Sequence, residues 1–147
     1  MLIAVVIIIT FFFMEFVAWW LHKYVMHGIF WNLPEDHHQK TSHLGFFELN
    51  DAFFIFFALL TMACFTLWSL GYGILFMAVA LGILLYGFAY FFIHDLFIHQ
   101  RIKIWTNTKN KYLLAVRKAH HDHHKHLGKH DGECFGMLWV HPKYFKS

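Results

Sequence analysis

Residues 2–20 read LIAVVIIITFFFMEFVAWW, nineteen residues with a single charge, Glu15. A helix needs about 20 consecutive apolar residues to cross the hydrocarbon core of a bilayer. The run is therefore read as a spanning helix that continues to about His27. A signal peptide would carry a basic leading region and a small-residue cleavage site. The first cation is instead Lys23, and no such site follows. Glu15 has two readings, both open at this point. A carboxylate inside a span is costly and points to function by default, or it is neutral and hydrogen-bonded to a neighbouring helix. Seven residues separate it from His22, so the two lie on nearly one helix face.

Two more stretches meet the same test. Asp51 to Leu70 is a second span, and Ile74 to Ile93 a third that continues through His94 to about His99. SLGYG at 69–73 is the tight turn between them. With 59% hydrophobic and 14% charged residues, nineteen phenylalanines and six tryptophans, the chain is an all-α integral membrane protein with aromatic anchors at the membrane rims. At 147 residues it is one domain, 1–147. Cys64 falls inside an apolar run and Cys134 outside any, so no disulfide framework is implied.

The net charge of +3 describes topology rather than affinity for nucleic acid. Lys23 and Lys40 follow the first span, ten more Lys and Arg lie from Arg101 onward, and the turn between spans two and three has none. Positive residues stay in the cytoplasm. Both basic regions are placed there, with the amino terminus outside. His22 sits at a cytoplasmic helix end, and the other histidines lie at such ends or beyond them. Charge and histidine placement thus agree on one membrane face.

Fourteen histidines in 147 residues fall into recurring groups. AHHDHHK at 119–125 holds His120, His123 and His124, which share one face of a helix from Tyr112 to about Lys125; His121 points elsewhere. His22 and His27 are spaced H-x4-H, His37 and His38 are adjacent, and His94 and His99 repeat H-x4-H. Clustered neutral imidazoles suit iron, zinc, copper or nickel, not magnesium or calcium. On a regular α-helix H-x4-H sets two side chains about 140° apart. Either each faces a different metal or the helix carries a π-bulge there, and two metals fit this spacing better than one. Asp36, Asp95 and Asp122 each adjoin a cluster and could orient a ring through its other nitrogen; solvation or a helix-end charge explains each equally well.

The remaining segments are less specific. In 28–50, GIFWNLPEDHHQKTSHLGFFELN, Pro34 precedes a helix start that would carry His37 and His38 in its first turns. Glu133 to Val140, ECFGMLWV, is short and apolar and could lie on the membrane surface. Tyr86, Tyr90 and His94 recur at i+4 along the third span, which is read as packing rather than as the lining of a channel.

The motifs H-x4-H, HH, H-x4-H and H-x-x-H-H on membrane helices resemble the fatty acid hydroxylase and sterol desaturase superfamily. FELND at 47–51, IHDLFIHQR at 93–101, the HHDHHK run and GECFGMLWV at 132–140 are similar to the bacterial β-carotene hydroxylases within it. The resemblance implies a non-haem diiron monooxygenase. Such enzymes use O2 and two electrons, commonly from ferredoxin, to hydroxylate carbon 3 of a β-ionone ring, taking β-carotene through β-cryptoxanthin to zeaxanthin. It also implies the ligands His22, His27, His37, His38, His94, His99, His120, His123 and His124, with zinc able to replace iron. One position departs from the pattern: Pro34 stands where the second motif begins with histidine, and His43 is the nearest substitute. A strong C–H bond and a polyene substrate dissolved in lipid fit a helical membrane enzyme without a serine nucleophile. A hydroxylase or desaturase of a fatty acyl chain or sterol is the nearer alternative. A non-catalytic metal-binding membrane protein is the farther one, and a transporter would place its ligands near the bilayer midplane.

Overall fold

A computed structural model describes residues 1–29, 51–103, 106–125 and 134–145, with no side-chain description for 26–29 and 51. Pro34, Asp36, His37, His38 and His43 lie outside the described residues, as does the helix expected after Pro34. The backbone at His27 is described; its ring is not.

Every regular element among the described residues is helical. Helix α1 is Leu2–Trp20, α2 is Asp51–Ser69, α3 is Ile74–Tyr90 and α4 is Lys111–Lys125. Two of them change winding before they end. α1 runs on as a π-helix over Leu21–Ile29, and α3 as a π-helix over Phe91–Ile98. The continuous helices Leu2–Val25, Ala52–Ser69 and Ile74–Ile98 are long and apolar enough to cross a membrane. These are the three spans expected from the sequence, and they make the chain a membrane protein.

α3 is the central span, packed against both α1 and α2. It buries a larger share of its length than either of the other two spans. The outer faces of α1 and α2 expose Ile8, Ile9, Phe12, Phe13, Ile55, Phe56 and Leu59, an arrangement suited to lipid and unsuited to water. Small residues set the α1–α3 approach. A Cβ placed on Gly82 would lie 2.5 Å from Thr10 Cβ and 2.9 Å from the Ile7 carbonyl oxygen, so only glycine admits this crossing. The turn after α2 depends on Gly71 and Gly73, at φ 88° and 121°, the conformations that glycine supplies freely.

α4 lies beyond the spans. Asn110 caps it, its Oδ1 accepting from the N–H groups of Tyr112 at 2.9 Å and Leu113 at 3.1 Å, which satisfies two of the orphan donors of a helix start. It buries Ala115, Val116, Ala119, His120 and His123, one helical stripe that faces the end of α3 and the 3₁₀ turn Pro142–Phe145. Tyr144 closes the small core around Ala115 and Ala119.

The segment from Cys134 to Val140, which could lie on the membrane surface, turns Met137 inward and leaves Trp139 exposed. Met137 is buried in the core with Met14, Ile83 and Tyr86, so the segment dips back between the first and third spans. Its backbone needs donors and acceptors there, and Glu15 supplies one acceptor, described below. The interface carries a prediction. Gly82→Ala overpacks the α1–α3 crossing and costs about 1–3 kcal/mol, seen as a lower thermal midpoint in detergent. Gly87→Ala on the same helix meets nothing within 4 Å and should leave the midpoint unchanged or higher.

Candidate metal centre

The π-helical segments settle the awkward spacing. In an α-helix, hydrogen bonds run from i to i+4; in a π-helix they run from i to i+5. The His99 N–H donates to the His94 carbonyl at 2.9 Å, a π-type bond between the two members of the motif. Residues five apart therefore stack as residues four apart do in an α-helix. The His94 and His99 ring centroids are 4.5 Å apart. Of the two explanations for H-x4-H, the change of winding is the one found here: His94 and His99 face a common point and not two different ones. The spacing itself thus gives no reason to expect a second metal.

α4 brings its histidines onto that point. His120 Nε2 lies 2.9 Å from His99 Nε2 and 2.8 Å from His124 Nε2, and the His94 ring is edge-on to His120 at 4.8 Å. Ligand atoms of His94, His99 and His120 all lie within 4.8 Å of one another. A second group sits beside the first. His123 Nε2 lies 3.1 Å from His22 Nε2, and the His120 and His123 rings are 5.8 Å apart. Six of the nine expected ligands are thus gathered in one place, from α1, α3 and α4. His121 is exposed, as the helical-face reading requires.

The donor set fits a cation. An imidazole nitrogen carries either one hydrogen or one lone pair, and three Nε2 atoms this close cannot all be satisfied by hydrogens between them. Metal–imidazole bonds of about 2.0–2.1 Å at right angles would set neighbouring nitrogens about 3.0 Å apart, close to the separations observed. Burial, and then the neighbouring His94, His99, His124 and His123, hold His120 well below the ordinary imidazole range. The ring is neutral, the form that ligates a metal.

Hydrogen bonds behind the rings fix their orientation. The His94 Nδ1 lies 2.7 Å from Asp95 Oδ1, so Asp95 stands where the expected orienting carboxylate should. Asp122 does not. It is 2.6 Å from Lys125 Nζ, and that partner, ahead of its other neighbours, holds its carboxyl below the usual range; it is a helix-surface ion pair. His22 Nδ1 lies 3.1 Å from the Phe135 carbonyl oxygen, and the Phe135 ring packs edge-on against His22 and His123 at 5.5 and 5.2 Å. Phe135 was not anticipated, because nothing local in ECFGMLWV points to a histidine more than a hundred residues away.

Glu15 is hydrogen-bonded to a neighbouring helix, as one reading had it, and to the 137–139 backbone as well. Its Oε1 accepts from the N–H groups of Met137, Leu138 and Trp139 at 2.9, 2.7 and 3.1 Å. The Tyr86 hydroxyl donates to Oε2 at 2.8 Å. All four bonds are accepted, and three go to an irregular segment instead of a helix. Tyr112 ties the same segment to α4 by donating to the Leu138 carbonyl at 2.7 Å. Burial, and secondarily Glu15, push that phenol upward, so it stays a donor.

An apolar cavity of about 370 Å³ reaches the histidines from the membrane side. His22, His94, Asp95, His120 and Phe135 form its inner end, and Phe54, Met62, Leu84 and Phe88 line its outer part. These four are substantially exposed on α2 and α3, so the mouth opens sideways between two spans. Tyr86 and Tyr90 also line the cavity, and Tyr90 stacks on His94 at 4.4 Å. The i+4 stripe is thus more than helix packing: it forms one wall of the cavity.

Comparison with known proteins adds a family. A family model described as fatty acid hydroxylase matches residues 7–144. The chain is 34% identical over 139 residues to a β-carotene hydroxylase of Pantoea ananas, covering 95% of this chain and 78% of that protein. It is 33% identical over 137 residues to a β-carotene hydroxylase of Pseudescherichia vulneris, covering 93% and 76%. Against a chloroplastic β-carotene 3-hydroxylase of Arabidopsis thaliana it is 36% identical over 128 residues, 85% of this chain and 41% of the longer plant protein. No solved structure matches.

Metal content of the purified protein tests the assembled site. Replacing His120, His123 or His124 by Ala should lower bound metal per chain, and His121→Ala should leave it at the wild-type level. The reverse ranking would require a new ligand set.

Proposed function

The chain belongs to the fatty acid hydroxylase family, and on that premise we propose that this membrane-bound, hydroxylating oxidoreductase acts on a carotenoid drawn from the bilayer. The observation that carries the reading is the sideways apolar cavity ending on His22, His94 and His120. A polyene dissolved in lipid can enter between α2 and α3 without crossing water. The relatives' names favour β-carotene, attacked at carbon 3 of its β-ionone rings, with β-cryptoxanthin and then zeaxanthin as products.

Side chains supply acid, base or nucleophile, none of which breaks an unactivated C–H bond. A pair of iron ions held by the clustered histidines would supply that oxidising chemistry with O2. Two adjacent histidine groups, one around His94, His99, His120 and His124 and the other at His22 and His123, favour two ions in one site. The remaining roles belong to the protein. Met14, Phe57, Ile83 and Met137 give the cavity an apolar wall that excludes water from the reacting end. Tyr90, stacked on His94, sets how closely a ring can approach the metal. Electrons would come from an acidic donor protein such as a ferredoxin, attracted by the ten basic residues from Arg101 onward.

Expression in a β-carotene-accumulating bacterium, with pigments read by chromatography, should yield β-cryptoxanthin and zeaxanthin. Unchanged β-carotene with the protein present in the membrane would refute the carotenoid reading. A new hydroxylated fatty acid or sterol would select the alternative lipid substrate. Thr61 is buried and lines the cavity, so Thr61→Trp should cut product about a hundredfold by displacing the substrate while bound metal is retained.

Charge also assigns a side. We place the histidine end in the cytoplasm of a bacterium, at its inner membrane. A reporter fused after Ser147 should then be cytoplasmic, and one inserted at Gly71 periplasmic. The opposite pattern would invert the topology.

A further inference from the structure

Glu15 is a carboxylate inside the first span, two helical turns before His22, and the chemistry described so far does not use it. Its position is about 10 Å from His22 along the helix axis, too far to share a metal with it. Yet its hydrogen bonds lead there. Oε1 gathers the N–H groups of Met137, Leu138 and Trp139. Two residues before Met137 is Phe135, whose carbonyl oxygen is the partner of His22 Nδ1 at 3.1 Å. The far side of that ring, Nε2, faces His123 Nε2 at 3.1 Å. The segment is neither helix nor sheet, so no regular ladder sets its carbonyl directions, and the bonds at the neighbouring N–H groups help to set them. Met137 is buried, and a buried N–H needs an acceptor. Glu15 is itself held by the Tyr86 hydroxyl from α3.

We propose that Glu15 is a positioning residue for His22: by gripping the backbone at 137–139 it aims the Phe135 carbonyl, which fixes the ring with Nε2 turned toward His123 and a metal that the two would share. The proposal rests on the reading of His22 and His123 as metal ligands. The 134–140 segment is thereby made part of the wall behind one half of the site, while the His94, His99, His120 and His124 half is carried on α3 and α4.

The two halves should therefore respond differently. The full-length protein in detergent is stripped of metal and titrated with Co(II), read by metal content per chain and by the visible absorption of the bound ion. Wild type should take two ions and His22→Ala one; equal binding by the two would refute the ligand reading itself. Given that difference, Glu15→Gln should weaken the second ion by about tenfold to a hundredfold, the range for partners behind a ligating histidine, and leave the first ion's affinity and spectrum unchanged. Gly136→Ala tests the same link without altering charge. Its added Cβ would meet Glu15 Oε1 at 3.0 Å, and it should shift the second ion in the same direction by less. If both variants bind the second ion as wild type does, or if Gly136→Ala weakens both ions equally, the positioning role is wrong. Should Glu15→Gln fail to accumulate in the membrane, Gly136→Ala decides on the same criterion.

Discussion

The site depends on a change of helical winding at the ends of two spans. Histidines five apart belong to opposite sides of an α-helix and to one side of a π-helix. α3 makes the switch at Phe91 and brings His94 and His99 to a common point; α1 makes it at Leu21, one residue before His22. In both spans the winding changes only near the end, after Trp20 and after Tyr90. α4 then closes the point with an ordinary i, i+3, i+4 face. Two kinds of helix thus supply one cluster, each with the residue spacing that its own winding demands.

Much of this was readable from the residues. The three spans follow from length and apolarity, and α4 follows from its periodicity. The exclusion of His121 follows from helical geometry alone. The H-x4-H spacing even carried a trace of the π-segments, because on a straight α-helix the two histidines cannot face one ion. What could not be read were contacts across the chain. Glu15 meets Met137 over a separation of 122 residues, and no periodicity connects the two. Asp95 and Asp122 both stand beside a histidine in sequence. Only the fold distinguishes the carboxylate behind His94 from the one paired with Lys125.

The polar atoms within the spans are handled in two ways. Thr61 and Thr66 hydrogen-bond to the carbonyls of Phe57 and Met62, four residues earlier on their own helix, at 2.8 and 2.9 Å. They impose nothing on their neighbours. Glu15 instead recruits groups from α3 and from the Cys134–Val140 segment, and so joins parts of the chain that lipid alone would not hold together. The first kind of polarity is local and dispensable to the architecture, and the second is part of its assembly.

The sideways mouth of the cavity changes what concentration means for this protein. A ligand that enters between α2 and α3 is counted per area of leaflet, not per volume of water. Adding lipid or detergent dilutes it even when its total amount is constant, and adding buffer does not. Occupancy then follows the mole fraction of ligand in the bilayer, and the packing and thickness of that bilayer become conditions of the reaction as temperature and pH are for a soluble enzyme.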